Sequence, residues 1–411
     1  MRDIKSAGTA ENVDPGALFD FSRLRRSPDV EAPNLFAFDA TDKLILTEAA
    51  GALAVRSDGP AEADGEQIVP DGGMRAPYAG STVAVVGDRY GALTLPVVST
   101  GGGNVRVHQD LMAGERALDR NAAELGLSGR FRRFPLGKEL FDGVSVVLWQ
   151  LPKSMAELAE TADQIARYAR PDVRIFAGGR IKHMTMAMNA LLQDSFGEVH
   201  AGLARQKSRV LTAAEPIRPT EEPAFPARQY HQELGLWVCA YGATFAGPRL
   251  DIGTRYLLEF IDRMKPDAQH AVDLGCGSGV ISAVLANARP QITVTATDQS
   301  AAAVASAAAT AEANGLSHRI CTVQDDAMAG FPTGSAELIL LNPPFHLGTT
   351  VHAGAAVRLF DAAARVLAPG GELWTVYNNH LHYRTQLQER IGPTTVQARN
   401  QKFTVALSSR S

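Results

Sequence analysis

The chain has 411 residues, of which 45% are hydrophobic and 20% are charged. These proportions exclude a wholly disordered protein and favour two or three globular domains. The sequence contains no apolar run near the ~20 residues that cross a bilayer, no hydrophobic leader and only three scattered cysteines. We therefore expect a reduced, soluble, cytoplasmic protein with no membrane segment, no disulfide framework and no metal site.

The net charge of −4 conceals a basic middle segment. Acidic side chains outnumber basic ones by seven over residues 1–129 and by two over 219–411, whereas basic side chains are in excess by five over 130–218. A basic segment inside an acidic chain is compatible with an RNA partner. Solvated lysines and arginines on helix faces would give the same count, so charge alone leaves both interpretations open.

In chain order, composition separates the linkers from the folded segments. The opening residues, to about Pro33, have the composition of a mobile segment, and residues 57–81 form a loop rich in Gly, Pro and acid. Four prolines between Pro216 and Pro226 exclude a helix or a central strand there. We predict a flexible N-terminus over 1–33, a domain over 34–214, a Pro-rich linker over 215–230 and a second domain over 231–411.

The two predicted domains repeat the same elements in the same order. Gly91 and Asp110 follow two short apolar strands of the first domain, and Gly279 and Asp298 follow the matching strands of the second, 188 residues later in both cases. Strands alternate with Ala/Leu-patterned helices, which predicts a doubly wound, mainly parallel α/β sheet in each domain. Two strand signals at the end of each domain predict an antiparallel edge hairpin.

A glycine-rich loop follows the first strand of the second domain. It reads Asp273-Leu-Gly275-Cys-Gly277-Ser-Gly279 and leads into a helix. Glycines let the backbone approach a ligand closely at a helix N-terminus, and Asp298, at the end of the next strand, can accept hydrogen bonds from ribose hydroxyls. Such a loop could also bind a dinucleotide or serve only as a structural turn.

The motif Asn342-Pro343-Pro344-Phe345-His346 follows another apolar strand. The side-chain oxygen of Asn342 and the carbonyl of Pro343 can both accept hydrogen bonds from a planar NH2 group, and Phe345 offers a face on which a base can stack. This predicts methyl transfer to an amine, although two prolines could simply end a strand. We expect His346 to contact the base by shape or hydrogen bonding, with a structural histidine as the alternative.

These motifs resemble those of the amino-methyltransferases that use S-adenosylmethionine (SAM). With the segment 245–258, the chain is similar from about Pro33 onward to the bacterial ribosomal RNA guanine-N2 methyltransferases of the RsmC/RlmG type, and closer to the large-subunit branch. The resemblance implies two tandem class I methyltransferase-like (Rossmann-type) domains, the N-terminal one degenerate, acting on a guanine of ribosomal RNA. It implies catalysis by Asn342, Pro343, Pro344 and Phe345, and SAM contacts from Asp251, Gly253, Asp273, Gly275, Cys276 (as a small packing residue), Gly277, Gly279, Asp298, Gln299, Asp326 rather than its neighbour Asp325, Ala327 and Asn342.

The first domain departs from this chemistry. Its loop from Gly87 to Gly91 carries bulky side chains, and Leu148–Lys153 replaces the Asn-Pro-Pro-Phe motif, so both amine acceptors are expected to be missing. We predict that this domain neither binds SAM nor reacts and that it positions RNA, with a purely structural role as the alternative. The predicted RNA contacts are Arg132, Arg133, Lys182 and Lys207, and further candidates for phosphate contacts are Arg130, Arg180, Arg205 and Arg209.

Other interpretations remain open at this point. The same amine clamp would serve adenine-N6 in DNA or a glutamine amide in a protein, because each acceptor is a planar NH2 group. A non-enzymatic SAM- or RNA-binding protein would leave the clamp idle. The expected partner is ribosomal RNA of the large or the small subunit, and a monomer is slightly favoured.

Overall fold

The computed structural model describes residues 14–54, 82–101, 103–344 and 350–411. The chain divides into two compact units, with the boundary between Glu222 and Pro223 and with Asp110–Met112 counted in the second unit. The predicted acidic loop over 57–81 lies outside the described residues. No helix in the described ranges is long and apolar enough to cross a membrane.

The first unit alternates strands and helices in the predicted manner. Its strands are β1 (Val83–Val86), β2 (Val105–His108), β3 (Arg132–Arg133), β4 (Val146–Gln150), β5 (Arg174–Arg180), β6 (Phe196–Ala201) and β7 (Ser208–Pro216). Its helices are α1 (Pro15–Leu18), α2 (Ala40–Ala54), α3 (Thr94–Ser99), α4 (Met112–Glu124), α5 (Lys138–Phe141), α6 (Met155–Tyr168) and α7 (Met186–Ser195).

The sheet of the first unit has the order β3-β2-β1-β4-β5-β7-β6. Strands β1 to β5 are parallel, and β7 pairs antiparallel with both β5 and β6. All four residues of β1 are buried, with Val83 and Val85 in one hydrophobic cluster and Ala84 and Val86 in another. Successive side chains point to opposite faces, so both faces of this sheet are covered.

The segment before α2 belongs to the core of the first unit. Phe21 and Leu24 are buried there, and the backbone N–H of Arg25 donates to Asn121 Oδ1 at 2.9 Å. The prediction of a flexible N-terminus over 1–33 is therefore wrong for its described part, residues 14–33. Composition misled because a few aromatic rings anchor a stretch that is otherwise polar.

The second unit repeats this alternation after an opening hairpin. Its strands are β8 (Ala227–His231), β9 (Leu236–Ala240), β10 (His270–Leu274), β11 (Thr293–Asp298), β12 (Ile320–Gln324), β13 (Ala336–Leu341), β14 (Leu367–Asn378), β15 (Thr394–Arg399) and β16 (Phe403–Ser409). Its helices are α8 (Ile252–Leu258), α9 (Val280–Ala288), α10 (Ala301–Ala313), α11 (Thr350–Val366) and α12 (Arg384–Arg390). Residues 217–226, within the predicted linker, form no helix or strand.

The main sheet of the second unit has the order β12-β11-β10-β13-β14-β16-β15. Position by position, this is the order of the first sheet, which confirms the predicted pair of doubly wound domains. The edge hairpin is formed by β15 with β16, and β16 also pairs antiparallel with β14. The first three parallel strands of this sheet and β13 end along one edge, where open α/β sheets bind their ligands.

Candidate active site

A cavity of about 290 Å³ opens at the carboxyl ends of β10, β11 and β13, close to the lower limit for small-ligand sites. Its wall combines the glycine loop, the ends of β11 and β13, and the segment before α8. The predicted residues that line it are Asp251, Gly275, Cys276, Gly277, Asp298, Gln299, Asp326, Ala327, Asn342, Pro343 and Pro344.

The glycine loop and Asp298 form one side of the cavity. Gly275 and Gly277 both have positive φ, +74° and +53°, which lets the chain turn sharply after β10. The backbone N–H of Gly277 donates to Asp298 Oδ2 at 3.2 Å, and that of Ser300 donates to Asp298 Oδ1 at 3.0 Å. Burial raises the pKa of Asp298 above its ordinary value. This carboxyl group is thus fixed in direction and turned toward the cavity.

Three predicted cofactor contacts lie behind the wall instead of in it. The buried Asp273 accepts from Ser282 Oγ at 2.7 Å and from its N–H at 3.1 Å. Gly279 packs against α10, where a Cβ would lie 2.7 Å from Ala307 Cα. At Gly253 a Cβ would lie 3.0 Å from the Asp251 carboxylate. These positions shape the loop and α8, a role that a motif alone does not distinguish from ligand contact.

The two neighbouring acids after β12 have different tasks. Asp325 accepts from the backbone N–H groups of Ala329 (2.7 Å) and Gly330 (2.8 Å), so it closes a turn. Asp326 forms an ion pair with Arg358 of α11, and both side chains line the cavity. Asp325 lines the cavity as well, so the preference for Asp326 over Asp325 as the ligand-facing acid stays a prediction.

Asn342 is held in one orientation immediately after β13. Its Nδ2 donates to Thr254 Oγ1 at 2.8 Å and to Asp251 Oδ2 at 3.1 Å. Asp251 also caps α8, because the same oxygen accepts from the N–H of Thr254 at 3.0 Å. With Nδ2 directed at a carboxylate, the amide oxygen is fixed on the other side. Oδ1 is buried and has no hydrogen-bond partner in the described part of the chain.

Two of the remaining motif residues, Pro343 and Pro344, line the cavity. The other two, Phe345 and His346, lie outside the described residues. Sequence reasoning did not single out Thr254 or Arg358 as site residues. Thr254 lies in the first turn of α8, within the segment 245–258 that the sequence did single out. Arg358 reaches the site from α11, and no motif in the sequence marks it.

Cys276 has the character of a packing residue. It is buried, and burial raises the pKa of its thiol well above the ordinary value, so the nucleophilic thiolate is disfavoured. Within the described ranges, no group of three or more His, Cys, Asp or Glu residues is placed to hold a metal ion.

The matching corner of the first unit is filled by its own side chains. The buried Asp88 accepts from the backbone N–H groups of Gly91 (3.0 Å) and Thr94 (2.7 Å), and burial raises its pKa. The hydroxyl of the buried Tyr90 donates to Asp29 Oδ2 at 2.5 Å. Backbone N–H groups that would face a ligand are therefore already bonded within the unit.

Strand register shows which residue of the first unit takes the place of Asn342. Trp149 pairs with the last residue of β1 as Leu341 pairs with the last residue of β10, so the next residue, Gln150, corresponds to Asn342. Gln150 Nε2 donates to the buried Asp42 of α2, and burial raises the pKa of Asp42 to about 7. The expectation that both acceptors are missing therefore needs correction, since an amide remains there.

The predicted RNA contacts of the first unit lie in two separate places. Arg132 and Arg133 form β3 at one edge of the sheet, and Arg133 is paired with Asp119. Lys182 follows β5, four strands further along the sheet, and the Lys207 carbonyl accepts from the backbone N–H of Ile181 at 3.0 Å. Lys182 and Lys207 are thus neighbours, whereas the two arginines form a different surface.

Comparison with known proteins adds family membership to this geometry. The model of the RLMG N-terminal domain matches residues 17–216, and that of the methyltransferase small domain matches residues 235–407. A protein of Pseudomonas aeruginosa named ribosomal RNA large subunit methyltransferase G is 33% identical over 390 residues, which cover 93% of this chain and 96% of the relative. The chain belongs to the ribosomal RNA large subunit methyltransferase G family.

Other members of this family and one solved structure agree. The Streptomyces coelicolor protein of the same name is 32% identical over 395 residues, covering 93% of this chain and 96% of that protein. The structure of the 16S rRNA N2 guanine methyltransferase RsmC from T. thermophilus, in complex with AdoMet and guanosine, superimposes with a TM-score of 0.67. It covers 84% of this chain and 90% of that chain at 22% identity, a likeness of fold. The resemblance to the RsmC/RlmG family is therefore confirmed.

Proposed function

We propose that the second unit transfers a methyl group from SAM to the exocyclic N2 amine of a guanine in ribosomal RNA. The relatives are named for methylating large-subunit ribosomal RNA, and RsmC, whose fold this chain shares, is named for N2 methylation of a guanine. The observation that carries the proposal is Asn342 Oδ1, a buried acceptor of a cavity-lining residue to which no group in the described part of the chain donates a hydrogen bond.

The cavity residues fit SAM. Asp298 is oriented to accept from ribose hydroxyls, and Asp326 supplies an acceptor for the adenine amine. Gly275 and Gly277 carry no side chain, and no heavy atom lies within 4 Å of a Cβ built at either position, so the loop leaves room for a ligand close to its backbone. When bound, SAM supplies a methyl group on a positively charged sulfonium, which the carboxylates in the wall favour electrostatically.

The chain's own part in the reaction is to hold the amine. The nitrogen lone pair of guanine N2 is delocalised into the ring, so the free amine is a weak nucleophile. Asn342 Oδ1 and the Pro343 carbonyl can accept its two hydrogens and hold the nitrogen in position for attack. The nitrogen gains the methyl carbon as the bond of that carbon to sulfur breaks, which would leave a neutral thioether, and the nitrogen loses one hydrogen as a proton to solvent. Asp251 and Thr254 act through Asn342, as positioning residues.

The first unit would position the RNA without binding SAM. Its filled loop at Asp88 and Tyr90 supports the absence of SAM binding, and the neighbouring Lys182 and Lys207 support phosphate contact. Replacing both lysines by Ala should reduce the log–log salt slope of RNA affinity by about two. An unchanged slope would contradict this role. We further propose that the protein acts in the cytoplasm. We also propose that it is a monomer, and light scattering after size-exclusion chromatography would test this oligomeric state.

The proposed reaction is tested by transfer of tritiated methyl groups from SAM to bulk ribosomal RNA, DNA and protein, followed by digestion to nucleosides or amino acids. We expect N2-methylguanosine. N6-methyladenosine or methylglutamine would assign a different acceptor, and no transfer at all would indicate a non-enzymatic binding protein.

Two variants separate the roles within the site. Asn342→Ala should abolish turnover while leaving SAM binding nearly intact, because Asn342 acts on the amine in the transition state. Asp298→Ala should weaken SAM binding first. Loss of SAM affinity with turnover retained at saturation in Asn342→Ala would show that its role is misassigned.

A further inference from the structure

Two exposed aromatic rings lie side by side on the β8–β9 hairpin. Tyr230 and Trp237 are directly opposite each other, with ring centroids 5.3 Å apart and planes tilted by 57°. They are 48% and 44% exposed. Large aromatic side chains are usually buried or engaged at interfaces, so a contacting pair left open to solvent indicates a surface that binds something.

The hairpin is mounted rigidly on α10. Asn314, at the end of that helix, binds both backbone groups of Trp237: its Oδ1 accepts from the N–H at 2.9 Å and its Nδ2 donates to the carbonyl at 2.7 Å. One turn earlier, Thr310 Oγ1 accepts from the N–H of Cys239 at 2.9 Å. A further turn back, Ser306 Oγ accepts from the N–H of Tyr241 at 2.9 Å. The rings are thus presented at little cost in conformational entropy.

A positive charge accompanies the rings. Arg228 lies two residues before Tyr230 on β8, so the two side chains share one face of the hairpin. Its side chain is exposed, and no ion pair to it occurs in the described part of the chain. A cation beside two open aromatic faces suits a polyanion with flat bases, because the guanidinium meets a phosphate and the rings meet the bases.

The hairpin is also tied to the segment that enters the cavity. His231 Nε2, at the end of β8, donates to the Pro248 carbonyl at 2.8 Å. Three residues later, Asp251 holds Asn342. The hairpin extends along α10, which is 13 residues long and begins next to Asp298. At 1.5 Å per residue, Asn314 lies about 20 Å from the cavity edge, so the rings would meet nucleotides other than the one that reacts.

We infer that Tyr230, Trp237 and Arg228 form a stacking platform for unpaired bases of the RNA substrate, remote from the reacting guanine. The identity of the ligand as RNA rests on the proposed function. The platform holds the strand through base faces, so it adds affinity without reading a particular sequence. A protein surface would also cover aromatic rings, and we favour RNA because the exposed Arg228 beside the rings suits a polyanion that carries flat bases.

Tryptophan fluorescence tests the platform directly. The chain has three tryptophans, and Trp149 and Trp374 are only 1% exposed, which leaves Trp237 as the exposed one. Titration of the full-length protein with protein-free large-subunit ribosomal RNA should change the emission of the wild type. The same titration of Trp237→Phe should leave emission nearly constant while RNA affinity is largely retained, since phenylalanine still stacks.

Affinity measurements separate stacking from charge. Trp237→Ala should raise the Kd for RNA by about 5- to 150-fold with an unchanged salt slope, whereas Arg228→Ala should lower the slope by about one. Val396→Ala, an exposed apolar residue on the edge strand of the same unit, is the matched control and should have no effect.

The outcomes distinguish this inference from the proposed function. If the wild type methylates RNA but its emission does not change on RNA binding, or if Trp237→Ala binds RNA normally, the platform is refuted and the methyl transfer stands. If emission responds to ribosomal proteins and not to RNA, the surface is a protein interface and the inference fails. If the wild type neither binds nor methylates RNA, both proposals fail.

Discussion

The substitution Thr254→Val tests how the orientation of Asn342 is maintained. It keeps the shape of a buried β-branched side chain and removes only the oxygen that accepts from Asn342 Nδ2 at 2.8 Å. One N–H of the amide is then buried without an acceptor, at a cost of about 1–3 kcal/mol. The amide cannot flip to escape, because flipping would direct Oδ1 at the Asp251 carboxylate.

If that cost falls on the reactive orientation, kcat should decrease by about 5- to 150-fold, since each 1.36 kcal/mol is a factor of ten in rate. The assay is single-turnover methyl transfer at saturating SAM, with calorimetry of S-adenosylhomocysteine binding beside it. Affinity for that ligand should change by less than about twofold, and Thr254→Ser, which restores the hydroxyl, should recover most of the rate. A wild-type kcat in Thr254→Val, or a loss confined to cofactor affinity, would refute this account of Asn342.

Two further predictions concern residues that lie behind the cavity wall. Burial raises the pKa of Asp273 from 3.8 to about 6. Its contribution to stability is therefore full below pH 4 and is lost as pH rises through 6, by about 3 kcal/mol. In urea denaturation, the free energy of unfolding of Asp273→Asn should lack this dependence on pH. Gly279→Ala places a Cβ against the backbone of α10 at φ +74°, so it should lower the free energy of unfolding by more than about 2 kcal/mol. Gly315→Ala, at φ +68° with open space around it, is the control and should lower it by about 1 kcal/mol. Thermal denaturation measures both. Equal losses in the two glycine variants would contradict the packing argument.

The sequence predicted the fold well because its signals are local. Short β-branched strands, Ala-rich helices and equally spaced landmarks identify two doubly wound sheets, and the strand orders agree position by position. The flexible opening segment was misjudged because burial of Phe21 and Leu24 depends on distant partners in the core that composition does not contain.

The sequence predicted several residues that line the cavity, but not all of the residues that contact them. Motifs place Asp298 and Asn342 at strand ends, and the structure brings both to one cavity. Arg358 reaches that cavity from a helix that carries no motif, so sequence spacing could not reveal it. Conversely, Asp273 and Gly279 belong to the motif yet lie behind the wall, since a motif records every residue the loop needs, including those that only hold it in shape.

The hydrogen bond from Gln150 to Asp42 bears on whether the first unit could bind a ligand at the corner that matches the cavity. Exchanging Gln150 for Asn would shorten the amide without releasing its acidic partner, and the loop beside it would still be occupied by Asp88. A ligand at this corner would therefore compete with contacts of Gln150, Asp42 and Asp88 at once. The corner of the first unit is therefore closed by its own packing, and no single substitution would open it to a ligand.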